Sequence, residues 1–310
     1  MSLAGEAEQT KVYRVGLLLQ ASPPWSEPGG GLRMPLRDLG YIAGRNIVFL
    51  TRGAEGKNER FPGLAVELVA LKPNVIVADT TPAVIAAMRA TATIPIVMAN
   101  VSDPVGSGLV ASLARPGGNV TGVTDFGTEL AVKEMDLLHT AFPAVTRVAV
   151  LMSDNPVHPS ELNTVQEAAK RIGLTILPTM SRSIEVADEA FASMAKDKAG
   201  ALIWLGGAPF STEAQRDKLI DLAAKARLPA LYPSRSFVEA GGLLSYGPDP
   251  VDKRRQTAAY VDKILKGTKP ADLPVQQPIE FELVINLKTA KALGLTIPPS
   301  VLLRADKLIE

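Results

Sequence analysis

The sequence predicts an α/β fold of two doubly wound lobes, each built on a parallel sheet. Short apolar segments rich in β-branched residues alternate with longer amphipathic segments from Val12 onward, a pattern typical of parallel strands joined by crossover helices. The alternation starts again near residue 128, and a length of 310 residues fits two domains of ordinary size. With 46% of its residues apolar, the chain can bury a core in each lobe.

Five strands are predicted in the first half of the chain. They span residues 14–19, 46–51, 75–78, 96–98 and 120–123. Their nearly continuous apolar character is typical of strands buried on both faces. Between them, Phe61, Leu64 and Leu68 recur at helical spacing, as do Ala83 and Ala87, so both segments predict crossover helices.

The second half repeats this organisation after a helix predicted over residues 128–142. Its strands span residues 147–152, 175–179, 201–205, 230–232 and 243–245. Apolar pairs such as Phe191 and Met194, or Leu219 and Leu222, mark the helices between them.

The end of the chain predicts a return to both lobes. An amphipathic helix around Tyr260 ends at Gly267. Residues 268–278 then contain three prolines and little periodicity, as a connection between lobes would. A further strand over residues 280–285 and a helix over residues 287–293 complete the sequence pattern.

Charge and cysteine content exclude several classes of site. The 33 basic and 32 acidic side chains leave a formal charge of +1, and neither sign forms a long block. A nucleic-acid-binding surface needs a concentrated basic excess to neutralise phosphates, so no nucleic-acid partner is expected. The chain has no cysteine, which excludes disulfides, thiolate catalysis and cysteine-based zinc or iron–sulfur sites.

Motifs of enzymes and cofactor sites are missing where they would be expected. Leu19 is followed by QASPPW rather than by the G-x-G-x-x-G turn of a dinucleotide site, and no Walker-type phosphate loop occurs. The two histidines, His139 and His158, lack metal-ligand spacing. There is no G-x-S-x-G nucleophile elbow either. We therefore expect neither an enzyme nor a cofactor or metal site, with His158 on a loop surface or facing a cleft.

Polar residues cluster where the predicted strands end. In open α/β sheets, ligands bind outside the carboxyl ends of the strands, so two such rims facing each other would line a cleft. The candidate ligand-binding residues of these rims are Gln20, Ser22, Thr80, Thr81, Asn100, Ser102, Asp103, Asp154, Asn155, Gly206 and Ser234. The aromatic candidates for stacking on a flat or apolar ligand are Trp25, Tyr232 and Tyr246. The alternative is that Tyr232 is interior and that Trp25 packs on its own lobe.

Two of these clusters have a second interpretation. Thr80, Thr81 and Pro82 form an N-cap and first-turn signature, yet the same helix N-terminus would offer backbone N–H groups to an anion. Asp103 can meet a ligand ammonium, but an Asp-Pro pair is also a turn former. Both alternatives stay open at this point.

Several motifs make a family recognisable over nearly the whole chain from Val12. They are IPIV at residues 94–97, SDPVGSGLV at 102–110, LARPGGNVTG at 113–122, SYGPD at 245–249 and FELVINLKTA at 281–290. The sequence resembles the substrate-binding components of ABC transporters, in the tryptophan/tyrosine-type branch.

The resemblance implies a type I periplasmic-binding-protein fold, with two lobes joined by three crossings and closing on a ligand between them. It places residues 12–125 and 249–275 in the first lobe and residues 126–248 and 276–310 in the second. It implies a periplasmic protein, free or lipid-anchored, that delivers a small molecule to the membrane permease. An amino acid, in particular an aromatic one, is the first choice of ligand. Another small carboxylated or aromatic compound is the second.

A ligand-sensing module of a receptor or regulator with the same fold is the alternative function. A regulator would need a helix-turn-helix segment before the first strand, and only about ten residues precede Val12. We therefore expect a transport receptor, acting as a monomer.

The open question at Thr81 leads to a test. If the helix start binds an anion, Thr81→Ala weakens a carboxylated ligand by about 1 to 3 kcal/mol through loss of a hydrogen bond to a charged group. The amide analogue of the ligand is barely affected. Calorimetric titration with both compounds measures this, and equal losses would show that the threonine serves the helix cap alone.

Overall fold

The computed structural model describes residues 11–21, 31–125, 127–205 and 212–310. Its first sheet has five strands, all parallel, in the order β2-β1-β3-β4-β5. The strands are β1 (Tyr13–Leu19), β2 (Ile47–Gly53), β3 (Val75–Ala78), β4 (Ile96–Val101) and β5 (Val120–Thr124). Strands β1 and β3 to β5 are buried almost throughout, as their apolar sequences predict.

The second sheet has seven strands, in the order β12-β11-β10-β9-β8-β6-β7. They are β6 (Arg147–Met152), β7 (Thr175–Met180), β8 (Ala201–Trp204), β9 (Ala230–Tyr232), β10 (Leu244–Pro248), β11 (Phe281–Asn286) and β12 (Lys307–Ile309). All neighbours run parallel except β10 and β11.

The helices lie mainly between these strands. They are α1 (Arg33–Asp38), α2 (Phe61–Ala70), α3 (Thr81–Ala90), α4 (Gly127–Ala141), α5 (His158–Arg171), α6 (Ala187–Lys196), α7 (Glu213–Lys225), α8 (Arg235–Glu239), α9 (Pro250–Leu265), α10 (Leu287–Leu293) and α11 (Pro299–Leu302). Within the described residues, no helix combines the length and apolar composition needed to cross a bilayer.

Helix α9 belongs by its packing to the first sheet, although it follows a strand of the second. Its buried residues Ala258, Val261 and Ile264 share one hydrophobic cluster with Val15 of β1 and Val97 of β4. On this packing we keep the division into residues 12–125 with 249–275 and residues 126–248 with 276–310 as a proposal.

Three connections join the lobes, and backbone hydrogen bonds hold them side by side. The amide of Thr124, before the first crossing, donates to the carbonyl of Gln276 at 3.0 Å. The amide of Asp249, on the second, donates to the carbonyl of Glu280, on the third, at 3.2 Å. The predicted α/β fold with two lobes and three crossings is confirmed.

The sequence predicts six of the seven strands of the second sheet, including the one over residues 280–285, and misses only β12. Strand β10 leaves the second lobe at Pro248, and the chain returns beside the same point at Glu280. A strand that starts where its neighbour ends must run the other way, so β11 is antiparallel to β10. Strand β12 has only three residues, two of them exposed, and offers no apolar run to predict it from.

Gly122 of β5 is required by the close approach of β4. Its φ is +134°, and a Cβ there would lie 2.2 Å from the Met98 carbonyl oxygen and 2.7 Å from the Met98 nitrogen. Both atoms are backbone and cannot move without breaking the sheet.

We therefore expect Gly122→Ala to lower the free energy of unfolding by at least about 2 kcal/mol. Gly118→Ala is the control, because Gly118 is exposed and nothing lies within 4 Å of a Cβ placed there. Urea denaturation measures both, and a loss at Gly122 no larger than at Gly118 would contradict the prediction.

Candidate functional site

A cavity of about 210 Å³ lies between the lobes, beside the crossings. The first lobe contributes Gly31 and Asn100, and the second contributes Pro233 and Ser234. The second crossing and the first turn of α9 contribute Pro248, Pro250, Lys253 and Arg254. Both lobes therefore contribute residues to one partly open cavity, as expected for a cleft in this fold class.

Two cations give the cavity wall a positive character. Burial lowers the pKa of Lys253, and the nearby Asp125 carboxylate opposes this shift. Burial also lowers the pKa of Arg254, with a further decrease from Arg235. In the described part of the chain, no carboxylate forms an ion pair with either cation. The wall can therefore receive an anionic group of a ligand.

The N-terminus of α9 adds to the positive character of this cavity wall. The Asp249 side chain caps the helix by accepting a hydrogen bond from the Val251 amide at 2.6 Å, and Pro250 occupies the first turn. A helix N-terminus carries a partial positive charge, so it reinforces the two cations.

The first-lobe rim holds a buried carboxylate next to the predicted anion site. The backbone amide of Gln20 donates to both carboxylate oxygens of Asp79, at 2.9 and 3.0 Å. Burial raises the pKa of Asp79 to about 7, although these hydrogen bonds work against the rise. The side-chain amide of Gln20 is itself buried, with no hydrogen-bond partner among the described residues.

Thr80 is the N-cap of α3, as the sequence predicts. Its hydroxyl accepts a hydrogen bond from the Ala83 amide at 3.4 Å, and Thr81 is buried in the first turn. The cap interpretation is therefore present in the structure. Anion binding at the same helix start stays a prediction.

The loop after β4 uses its acidic residue in a turn. The Asp103 carboxylate accepts a hydrogen bond from the Gly106 amide at 2.7 Å, and its carbonyl accepts one from the Ser107 hydroxyl. Asn100 lines the cavity, whereas Ser102 lies against the crossing. A Cβ on Gly127 would come within 2.4 Å of the Ser102 Cβ.

The second-lobe candidates divide between the cleft and the interior. Asp154 reaches the first lobe, where it accepts a hydrogen bond from the Asn58 side chain at 2.9 Å. Ser234 lines the cavity, and its hydroxyl lies 2.8 Å from that of Ser236. Asn155 is buried and accepts a hydrogen bond from the Val157 amide at 3.3 Å.

Both tyrosine candidates pack within the second lobe. Tyr232 is buried and stacks on Phe237, with ring centroids 5.0 Å apart. Tyr246 stacks on Phe281 at 5.8 Å, and burial raises its pKa. Their contact with a ligand stays a prediction.

Three candidates lie outside the described residues: Ser22, Trp25 and Gly206. The interpretation of His158 as a surface loop residue is wrong. It opens α5 and is completely buried, and its Nδ1 accepts a hydrogen bond from the Ser153 amide at 2.9 Å.

An acidic cluster at the first crossing was not predicted from the sequence. Asp125 follows β5, Glu134 lies on α4 and Glu161 lies on α5; the last two are buried. Burial and the Asp125 charge raise the pKa of Glu161 to about 8, although a hydrogen bond with the Ser102 hydroxyl works against the rise. Burial and the other two carboxylates also raise the pKa of Glu134.

The family assignment follows from comparison with known proteins. The family described as ABC transporter substrate binding protein matches residues 22–309. The chain belongs to this family. The sequence-based recognition of an ABC transporter substrate-binding protein is therefore confirmed.

Relatives of known sequence and structure agree with this assignment. A tyrosine-binding protein of Clostridioides difficile (strain R20291) is 29% identical over 294 residues, which cover 94% of this chain and 83% of that protein. A solved conserved domain protein from Vibrio cholerae is 30% identical, with a TM-score of 0.88 over 96% of this chain and 100% of that one. An ABC domain from Streptococcus pneumonia, solved in complex with L-Trp, is 28% identical, with a TM-score of 0.87 over the same shares.

The acidic cluster predicts how the stability of this substrate-binding protein depends on pH. A carboxyl whose pKa rises from 4.5 to about 8 on folding contributes fully below about pH 4.5, and its contribution is lost as the pH rises toward 8. For Glu161 the free energy of unfolding should fall by up to about 1.4 kcal/mol per pH unit in this window.

Urea denaturation between pH 5 and pH 8 tests this with Glu161→Gln, which should flatten the fall. Glu167→Gln is the matched control, because Glu167 is exposed on the same helix, where its pKa is lowered by Lys170. An unchanged slope in Glu161→Gln would contradict the prediction.

Proposed function

We propose that this protein is the periplasmic receptor of an ABC importer for a small carboxylated molecule, held between the lobes and handed to the permease without chemical change. The observation that carries the proposal is the inter-lobe cavity with Lys253 and Arg254 in its wall. These cations lie at the N-terminus of α9, where a carboxylate gains from both charge and helix dipole.

Two observations support this class of ligand, namely the relatives and the cavity volume. The relatives include a tyrosine-binding protein and a protein in complex with L-Trp, so an amino acid is our first choice. The cavity volume of about 210 Å³ suits a molecule of this size. Neutral donors such as Asn100 and Ser234 would then bind the remaining polar atoms of the ligand.

The proposal includes no bond-making step. The Ser234 hydroxyl at the cavity pairs with another serine, Ser236, rather than with a base that would activate it. We also propose that the protein acts as a monomer in the periplasm, either free or lipid-anchored.

Neutralising Arg254 tests the carboxylate site. Calorimetric titration would use L-tyrosine, L-tryptophan and benzoate against the wild type and Arg254→Gln, with tyrosinamide as the counterpart that keeps the amine but lacks the carboxylate. We expect Arg254→Gln to weaken the acids at least tenfold, or about 1.4 kcal/mol, and tyrosinamide by less than twofold.

Arg255→Gln is the control, because Arg255 is the exposed neighbour on the same helix. Small-angle scattering should also show a smaller radius of gyration on addition of the acid that binds. Equal losses for acid and amide, or no binding of any acid, would overturn the proposed function.

A further inference from the structure

The second lobe contributes Pro233 and Ser234 to the cavity, and these two residues are called the second-lobe wall below. The wall forms where the chain leaves strand β9. This strand ends at Tyr232, immediately before Pro233, which has no N–H group to donate to a neighbouring strand. Beyond Ser234 the chain enters α8. The position of the wall therefore determines the extent of the cavity on the side of the second lobe.

Gly247 of β10 lies directly behind the second-lobe wall. It is buried and lies outside the cavity lining. A Cβ placed on it would lie 2.3 Å from the Pro233 carbonyl oxygen and 3.3 Å from the carbonyl carbon. Because Cβ atoms point away from the plane of a sheet, the Pro233 backbone crosses over the face of β10 at this residue. Only a residue without a side chain leaves room for that crossing.

Strand β10 cannot move to accommodate a side chain at this position. It pairs with β9 on one side and with β11 on the other, where Gly247 lies opposite Glu282. A shift of the strand would break the hydrogen bonds to both neighbours. A side chain in place of Gly247 would therefore displace the second-lobe wall and leave β10 where it is.

The second-lobe wall is anchored at both ends, so its displacement narrows the cavity. On one side lies Tyr232, which is buried in β9 and stacks on Phe237 of α8, with ring centroids 5.0 Å apart. On the other side α8 is held in place, since the Val238 carbonyl accepts a hydrogen bond from the Asn286 side chain at 3.2 Å. The open space beside the anchored segment is the cavity itself.

We propose that Gly247 determines the largest ligand that the cavity accepts, because it leaves room for the Pro233 backbone behind the second-lobe wall. This inference rests on the proposed function, which places the ligand in this cavity. Gly247 is a positioning residue, since it acts through the wall and does not touch the ligand. A large ligand needs the full depth of the cavity, whereas a small one fills only part of it. Carboxylate binding at Arg254, on the wall formed by α9, does not depend on this depth.

Calorimetry with acids of graded size tests the inference. L-Tryptophan, L-tyrosine, L-valine and benzoate would be titrated into the wild type and Gly247→Ala. We expect Gly247→Ala to weaken L-tryptophan by at least about tenfold, because a narrowed pocket discriminates against the ligand that fills it. The smaller acids, L-valine and benzoate, should lose less than about threefold. A general loss of stability would instead weaken all four ligands alike.

A control and a second variant complete the experiment. Gly118→Ala should keep the affinities of the wild type, because nothing lies within 4 Å of a Cβ placed at Gly118. Ser234→Thr keeps the hydroxyl group and adds one methyl group to the second-lobe wall. If urea denaturation shows that Gly247→Ala does not fold, Ser234→Thr decides the question. It should then weaken L-tryptophan more than the smaller acids.

Failure of this inference and failure of the proposed function have different signatures. Equal losses for large and small acids in Gly247→Ala, or no loss at all, overturn the role of Gly247. Where Ser234→Thr decides, an unchanged order of affinities overturns it as well. The proposed function survives these results if an acid still binds in a manner that depends on Arg254. A wild type that binds no acid overturns both.

Discussion

The three crossings run side by side, and this constraint determines much of the rest of the structure. Backbone hydrogen bonds from Thr124 to Gln276 and from Asp249 to Glu280 hold them together. Because the chain returns beside the point where it left, β11 must oppose β10. The same geometry places the start of α9 at the inner end of the cleft, so its first-turn side chains face the cavity.

Cations gather at the cavity without forming ion pairs among the described residues. Lys253 and Arg254 lie in its wall, partly removed from water, and Asp125 is close enough to Lys253 to raise its pKa. Keeping such groups apart and unpaired costs free energy in a protein without ligand. Cations left without an ion pair in a cavity wall are typical of a site that binds an anionic group.

The sequence was sufficient for the fold, and two of the residues that it predicts for the site line the cavity. Alternating apolar segments predict both sheets because buried parallel strands need them, and Asn100 and Ser234 reach the cavity as strand-end residues should. Lys253 and Arg254 were missed because they lie inside a helical pattern. The Asp249-Pro250 cap marks the start of that helix, and this signal could have placed them at a strand end.

Helical spacing places Glu161 one turn before Val165 and two turns before Ala169, on the buried face of α5. The sequence could therefore have indicated its burial, but not the groups that it faces. The meeting of Glu161 with Asp125 also depends on how two separately folded lobes approach each other, and spacing along one chain carries no information about that distance.

The hydrogen bond between Asn58 and Asp154 joins the two lobes directly, at 2.9 Å. It is exposed to solvent, and such bonds contribute little net free energy. Separation of the lobes at this contact would therefore cost little.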